Sequence, residues 1–368
     1  MNKKNNIFIC PLEWGLGHAG RMVPVAKKLR DMGNNIFIGA GEKHLAFFRN
    51  EVPGITYINF AGFSPWYSRF LPQYLVLLFQ TPLLLYHIIL EHNRIKKIIQ
   101  EYSIDIIISD NRFGLWNKSV KTVYVTHMPL IPLPKAFHFL EFIGVIVHRA
   151  IIRKYSLCFI PDLPGEMNIS GRLSHNVILP GNTRFIGILS RFTDLKATVN
   201  ENPVSFKHNT VILSGPEPQR KILEQKLTDT LKDKEPPTVI LGGNPEKPPG
   251  MARLSNIICF NHLPSSAMKE VITGSESLIG RAGYSTIMEL ISLNCSALLI
   301  PTPGQTEQEY LADNLAKKGW FTIISQKNIS SDLCLIPKES KWSKEIIIQS
   351  KELLDKALKE MSEEQQDK

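Results

Sequence analysis

Two successive strand–loop–helix corners late in the chain constrain its fold more than any other stretch. The first is Leu278-Ile279-Gly280-Arg281-Ala282-Gly283-Tyr284-Ser285-Thr286-Ile287-Met288-Glu289. It reads as a short apolar strand from Ser277 to Ile279, a turn over Gly280–Gly283 too tight for side chains, and a helix starting at Ser285 or Thr286. Unpaired backbone N–H groups and the helix dipole favour an anion at such a start, so a phosphate fits there. Glu289 lies one turn above Ser285 on the same side, where a carboxylate can accept two hydrogen bonds from a ribose diol. The same spacing also fits a capping box from Thr286 to Glu289 that serves only its own helix. The second corner is the apolar strand Ala297 to Ile300, then a Pro/Gly loop carrying Gln305, Thr306, Glu307 and Gln308. These are donors and acceptors suited to sugar hydroxyls, although Thr306 to Glu309 also fits simple capping. A helix from Tyr310 to Lys318 follows, stopped by Gly319. Two polar corners at the ends of neighbouring strands form the kind of crevice that binds nucleotides in open α/β sheets.

On these residues Asn261 to Ile324 resembles the donor-binding half of GT-B glycosyltransferases, in particular the peptidoglycan lipid-intermediate N-acetylglucosaminyltransferases and their family-28 relatives. The matching pieces are Arg281-Ala282-Gly283, Glu289, the strand ending in Pro301, and Gln308 before the last helix. The family's paired glutamines appear here as Gln308-Glu309, which leaves sugar preference open. The resemblance implies an α/β fold of two Rossmann-like domains facing a cleft, with a C-terminal helix crossing back to the first. The boundaries expected are 1–190 for the acceptor-binding domain, 191–208 for a linker, 209–340 for the nucleotide-sugar domain and 341–368 for the crossover helix and tail.

A length of 368 residues suits two domains, and 43% hydrophobic with 21% charged residues is ordinary for a soluble chain. The net charge of +9 favours acidic partners: nucleic acid, anionic membrane or phosphate-bearing substrates. No basic run interleaved with aromatics and no nucleic-acid motif is present, so no nucleic-acid partner is expected. The five cysteines, Cys10, Cys158, Cys259, Cys295 and Cys334, are scattered and have no CxxC pair. They read as thiols in a reducing compartment, not as a disulfide framework or zinc site. The first residues carry no signal-peptide pattern, and a cytoplasmic location is expected, at the inner face of the membrane if the protein touches one.

The chain opens with a strand, Ile7 to Cys10, a loop from Pro11 to Arg21, a helix from about Met22 to Met32 and a strand from Ile36 to Ala40. The loop holds Gly15-x-Gly17-x-x-Gly20, formally a dinucleotide fingerprint, with Glu42 where a ribose-binding acid would sit. Pro11-Leu12-Glu13-Trp14 separate it from the strand, which argues against NAD. The loop resembles the GT-B glycine loop, which places Gly15 and Gly17 at the cleft and His18 in register. Glu13 and Trp14 stand where relatives carry further glycines. An imidazole titrates near neutral pH, so His18 is a candidate general base on the acceptor hydroxyl; a phosphate contact or a helix-capping role is the alternative. Ile104 to Ser109 ends in Asp110-Asn111-Arg112, and Thr122 to Thr126 ends in His127. Residues at such strand ends line the crevice, making Asp110 a candidate catalytic group and Arg112 and His127 candidate acceptor contacts. An Asp110–Arg112 salt bridge is the competing arrangement.

Phe70 to Leu90 carries no formal charge but is broken by Pro72, Gln73, Gln80, Pro82 and His87. It is expected to form one or two helices packed on the first sheet, or an apolar surface lying on a bilayer, flanked by Arg94, Lys96 and Lys97. Phe137 to Ile152, with Arg149, Arg153 and Lys154, repeats the pattern. Ser214 and Gly215, after the strand Val211 to Leu213, are a second candidate contact for a diphosphate. Asn261-His262-Leu263-Pro264 falls where relatives place the base of the nucleotide. The amphipathic stretch Trp342 to Met361 is the expected crossover helix, and Glu363 to Lys368 a frayed end.

The resemblance implies transfer of a hexose or N-acetylhexosamine from a UDP-sugar co-substrate to a glycan, lipid-linked or other hydroxyl acceptor, with inversion. Arg281, Ala282, Gly283, Tyr284, Ser285 and Thr286 would hold the diphosphate, Glu289 the ribose and Gln305 to Gln308 the sugar. No metal or cofactor is expected. The rivals are a UDP-sugar 2-epimerase of the same fold, which would consume the donor without an acceptor, and a non-catalytic sugar-nucleotide-binding subunit of a membrane enzyme.

Overall fold

The computed structural model describes residues 4–68, 71, 73–193, 195, 203–244, 250–330 and 333–363. Two seven-stranded sheets are built one after the other along the chain. The first contains β1 (Asn6–Cys10), β2 (Asn35–Ala40), β3 (Thr56–Asn59), β4 (Ile106–Asp110), β5 (Lys121–Val125), β6 (Leu157–Ile160) and β7 (Thr183–Phe185). Its order is β3-β2-β1-β4-β5-β6-β7, and every pairing is parallel. The second contains β8 (Asn209–Ile212), β9 (Thr238–Leu241), β10 (Met251–Leu254), β11 (Ile257–Phe260), β12 (Leu278–Gly280), β13 (Leu298–Leu299) and β14 (Thr322–Ile323). Its order is β10-β11-β9-β8-β12-β13-β14, parallel except for the edge pair β10–β11. Strands such as Ile7-Phe8-Ile9 and Ile106-Ile107-Ile108 are apolar throughout because both faces are covered.

The helices are α1 (Leu16–Asp31), α2 (Glu42–Glu51), α3 (Gln73–Tyr102), α4 (Glu141–Ile152), α5 (Gln219–Leu231), α6 (Ser265–Gly274), α7 (Tyr284–Ser292), α8 (Thr306–Lys317) and α9 (Glu345–Ser362). Strand order reverses at β1/β4 in the first sheet and at β8/β12 in the second. Both expected glycine corners, α1 after β1 and α7 after β12, therefore start at switch points, where a crevice opens. The two domains meet along α1 and α7. Ala19, Met22 and Val23 of α1 and Ile287, Met288 and Ile291 of α7 belong to one buried apolar cluster that spans both domains.

α9 returns to the first domain as expected and begins at Glu345 rather than Trp342. Ser350 Oγ accepts the Ile188 N–H at 3.0 Å, Arg184 pairs with Glu360 at 2.8 Å, and Lys121 Nζ donates to the Met361 carbonyl at 2.9 Å. The last strand of the first sheet, β7, ends at Phe185, and the break between sheets falls between Phe185 and Asn209. Residues 194 and 196–202 of the expected linker, among them Asn200-Glu201-Asn202, and residues 364–368 of the expected frayed end lie outside the described residues.

Phe70 and Pro72 also lie outside the described residues, and from Gln73 the apolar stretch is a single helix, α3, with Pro82 inside. By length and composition α3 is able to cross a membrane. Its C-terminal half is instead fixed to the sheet. Glu91 pairs with buried Arg112 at 3.0 Å, His92 stacks on Trp116 with ring centres 4.1 Å apart, and Ile95 is fully buried. The Glu91 carboxylate and the Arg112 guanidinium are both out of water, so breaking the pair strands a charge. Glu91→Ala should cost about 3–5 kcal/mol of unfolding free energy in urea titrations. A loss below about 1 kcal/mol would show that the pair does not hold α3.

Candidate functional site

α1 begins at Leu16, so Gly17, His18 and Gly20 lie in its first turns and not in an extended loop. Gly15 caps it with φ +148°, a conformation that favours glycine. Ahead of it the Glu13 carboxylate accepts the N–H groups of Gly41 and of Gly62, the latter at 3.2 Å, tying the loop to the ends of β2 and β3. Gly17 and Gly20 serve domain contact. A Cβ on Gly17 would stand 2.9 Å from Ser285 Oγ, and one on Gly20 would stand 3.5 Å from the Glu289 carboxylate. Ser285 Oγ donates to the Gly17 carbonyl at 3.0 Å across the cleft.

From that first turn, His18 Nδ1 lies 3.1 Å from Asp110 Oδ2 at the end of β4. Arg21, one turn further along α1, donates from Nε to the same oxygen at 2.9 Å and from Nη2 to Asp110 Oδ1. Its Nη1 donates to His127 Nδ1 at 3.0 Å, and His127 Nε2 lies 2.8 Å from Glu307 Oε1 on α8. The His127 ring stacks on Tyr284 with centres 4.1 Å apart. A continuous polar chain thus runs from α1 through two strand ends to the second domain. Burial alone would raise the Asp110 carboxyl, but Arg21 and His18 outweigh it and hold it at about 2. Burial, with Arg21 beside it, lowers His18 despite the opposing pull of Asp110, so its imidazole is neutral at pH 7. For Glu307, burial pushes upward, but His127 and its hydrogen bond, with His18 and Arg21, bring the carboxyl below its ordinary value.

α7 starts at Tyr284, one residue earlier than expected, and its N-cap Gly283 offers no side-chain bond to the free N–H groups. The capping box is not formed. Glu289 Oε1 is engaged by Arg191 Nε at 2.8 Å. Burial raises the Glu289 carboxyl, and Arg191 only partly offsets that. Thr286 is buried beside Gly280. Tyr284 Oη donates to the Pro161 carbonyl at 2.7 Å.

On α8, which begins at Thr306 rather than Tyr310, Thr306 Oγ1 donates to the Pro132 carbonyl at 2.7 Å. Gln308 Oε1 accepts the Thr302 N–H at 2.9 Å. Gln305 Oε1 is buried with no protein partner, as is Trp14 Nε1. Ser214 is half-buried and Gly215 exposed after β8, and Leu263 packs against the apolar cluster beside His262.

Two expectations are corrected. Arg112 does not face the cleft or pair with Asp110. Asn111, at φ +53°, turns the chain so that the Arg112 guanidinium points under the sheet to Glu91 and the Phe60 carbonyl. Arg281 does not offer its side chain to a ligand. It is fully buried beside Ala282, donates to the carbonyls of Ile300, Pro301 and Gln219, and is lowered to about 10 by desolvation. It braces the ends of β12 and β13 against the start of α5. Arg21 and Arg191 were missed. Arg21 follows His18 at helical spacing, a signal visible only once α1 is known to begin at Leu16. Arg191 stands at the head of a polar run and carries no local signal.

Residues 244–366 match the glycosyltransferase family 28 C-terminal domain. An uncharacterized glycosyltransferase of Methanosarcina acetivorans is 24% identical over 345 residues, covering 87% of this chain and 85% of that one. A UDP-N-acetylglucosamine--N-acetylmuramyl-(pentapeptide) pyrophosphoryl-undecaprenol N-acetylglucosamine transferase of Bacillus cytotoxicus is 34% identical over 70 residues, 18% of this chain and 19% of that one. Among solved structures, the glycosyltransferase SnogD from Streptomyces nogalater superposes with a TM-score of 0.57 at 14% identity, covering 98% of this chain and 95% of that one.

Because the folded carboxyl of Asp110 is depressed, its contribution to stability is complete above its ordinary value of 3.8 and disappears as pH falls through about 2. Urea titrations should show about 2 kcal/mol of stability lost over that window, a component missing from Asp110→Asn. Identical pH profiles for the two proteins would contradict the buried Asp110–Arg21 pairing.

Proposed function

We propose that this chain, a family-28-like glycosyltransferase of the GT-B fold, transfers a hexose or N-acetylhexosamine from a UDP-sugar to a glycan or lipid-linked hydroxyl acceptor, with inversion. One observation carries the reading: the neutral His18, hydrogen-bonded to an ionised Asp110, sits across the cleft from the uncapped start of α7. His18 donates from Nδ1 to the carboxylate, which leaves Nε2 as the basic atom. That nitrogen takes the acceptor's hydroxyl proton as the oxygen attacks the anomeric carbon. The bond to the diphosphate breaks, and the charge growing there meets the free N–H groups and dipole at Gly283–Thr286. A single displacement of this kind inverts the anomeric centre.

In this reading the remaining donor contacts come from Glu289, the loop before α8 and the loops after β8 and β11. Arg191 engages Glu289 Oε1, and Oε2 is the atom for the ribose hydroxyls. The unpaired Gln305 Oε1 is a ready acceptor for a sugar hydroxyl, with Gln308 and Glu307 beside it. Ser214 and Gly215 are at the diphosphate, and the loop at Leu263 is at the base. The helix start supplies the positive field a metal would, so transfer needs no metal ion. Calorimetric titration of UDP in the presence of EDTA tests donor class and site together. Binding should occur and weaken by about 1–3 kcal/mol in Glu289→Ala, as expected for lost hydrogen bonds to a charged group. Unchanged binding in the variant would remove Glu289 from the donor site, and no binding by wild type would remove UDP.

The acceptor side favours a lipid-linked substrate met at the cytoplasmic face of a membrane. Leu78, Phe79, Leu83, Tyr86 and Ile89 of α3 are exposed, as are Phe142, Ile143 and Ile146 of α4, with Phe79 70% open to solvent. So much unpaired apolar surface on one domain marks an interaction site. Arg94, Lys96 and Lys97 follow on α3, and Arg149 and Arg153 near the end of α4, as partners for anionic headgroups. Sedimentation with anionic phospholipid vesicles should carry down the wild-type protein and leave Phe79→Asp/Phe142→Asp in the supernatant. Equal sedimentation of both would refute this surface as the membrane contact.

A further inference from the structure

Arg21 is among the largest fully buried side chains, and the mechanism above gives it no task. Its guanidinium meets two partners of different kinds. Nε and Nη2 donate to the two oxygens of Asp110, while Nη1 donates to His127 Nδ1 at 3.0 Å. A guanidinium has donors only, so Nδ1 of His127 is an acceptor and carries no proton. The ring proton sits on Nε2, which donates to Glu307 at 2.8 Å. His18 meets the opposite partner. Its Nδ1 faces a carboxylate oxygen at 3.1 Å, so Nδ1 carries the proton and Nε2 holds the lone pair.

We propose that Arg21 is a positioning residue that gives the two cleft imidazoles opposite tautomers, making His18 the base at Nε2 and His127 a hydrogen-bond donor at Nε2. It does so by presenting His127 with a donor and His18, through Asp110, with an acceptor. In the transfer step the hydroxyl proton goes to His18 Nε2, the oxygen–carbon bond forms, and the electron pair of the breaking bond leaves with the diphosphate. His127 gives up no proton; its N–H remains a donor, able to exchange Glu307 for a substrate oxygen. The stack of Tyr284 on His127, with planes 16° apart, restricts rotation of that ring. The base assignment rests on the transferase reading, whereas the tautomers are properties of the resting protein.

Long-range proton–nitrogen correlation spectra of nitrogen-labelled histidines read the tautomers directly, with H18Q and H127Q identifying the two rings. The expected pattern is Nδ1–H for His18 and Nε2–H for His127. Nδ1–H on His127, or an averaged mixture, would overturn the proposal without any variant. Arg21→Gln should release His127 into a mixture and lower the kcat for UDP release from UDP-N-acetylglucosamine about tenfold to hundredfold, with donor KM little changed. Arg21→Lys, which keeps one charged donor, should recover part of that loss. The groups facing His18 are Asp110 on β4, Arg21 on α1, His127 after β5 and Glu307 on α8. Removing Arg21 takes away a cation that opposes protonation, so the acid limb of the kcat profile should move to higher pH. R21Q/D110N, which strands no charge, repeats the His127 measurement should Arg21→Gln fail to fold. A locked His127 in either variant counts against the proposal. Opposite tautomers in a protein that turns over no sugar nucleotide would support the assignment and sink the transferase reading alone.

Discussion

The buried pairing of Arg21 with Asp110 is the interaction on which the cleft depends. Neither charge is tolerable alone inside the first domain, where the low dielectric makes an uncompensated ion cost several kcal/mol. Together they form a two-point contact that fixes the first turns of α1 against the end of β4. His18 and His127 then attach to opposite sides of the pair. The glycines of α1 are small because α7 of the second domain arrives at the same turn. Charge pairing thus sets the position of the helix, and the helix sets how closely the two domains approach.

Much of this arrangement was legible in the sequence. The corner at Gly280–Gly283 and the polar ends of β4 and β5 follow from apolar runs ending in glycine or polar residues, a pattern that parallel sheets make plain, whereas the return of α9 is implied by the resemblance to GT-B enzymes. The failures share a cause. Three glycines between Gly15 and Gly20 argue for a loop on intrinsic propensity, yet the helix begins at Leu16 because close packing against α7 needs residues without side chains. Asp110 and Arg112 are near neighbours with opposite charge, yet the left-handed Asn111 sends them to different sides of the sheet. Thr286 and Glu289 have the spacing of a capping box, but Arg191, remote in sequence, claims the carboxylate. In each case a partner from far along the chain outweighs local preference, and no window of sequence contains it.

The first domain also has two chemically distinct faces. The carboxyl ends of β1, β4 and β5 present His18, Asp110 and His127 to the second domain. The α3 and α4 side keeps an apolar surface that no other part of the described chain covers. Arg112 belongs to the α3 side, although it lies only two residues from Asp110. A movement of α3 therefore bears on the same strand end that carries the Asp110 carboxylate.

α9 has a mechanical consequence. The chain passes between domains twice, once between Phe185 and Asn209 and again through α9, whose bonds to Ile188, Arg184 and Lys121 return it to the first domain. A body held at a single crossing can swivel in any direction, like a ball in a socket. One held at two crossings behaves as a door on two hinges and swings about the line that joins them. Any opening of the cleft would thereby be confined to one arc, and closing would return Ser285 to Gly17 and Glu307 to His127 in the same register.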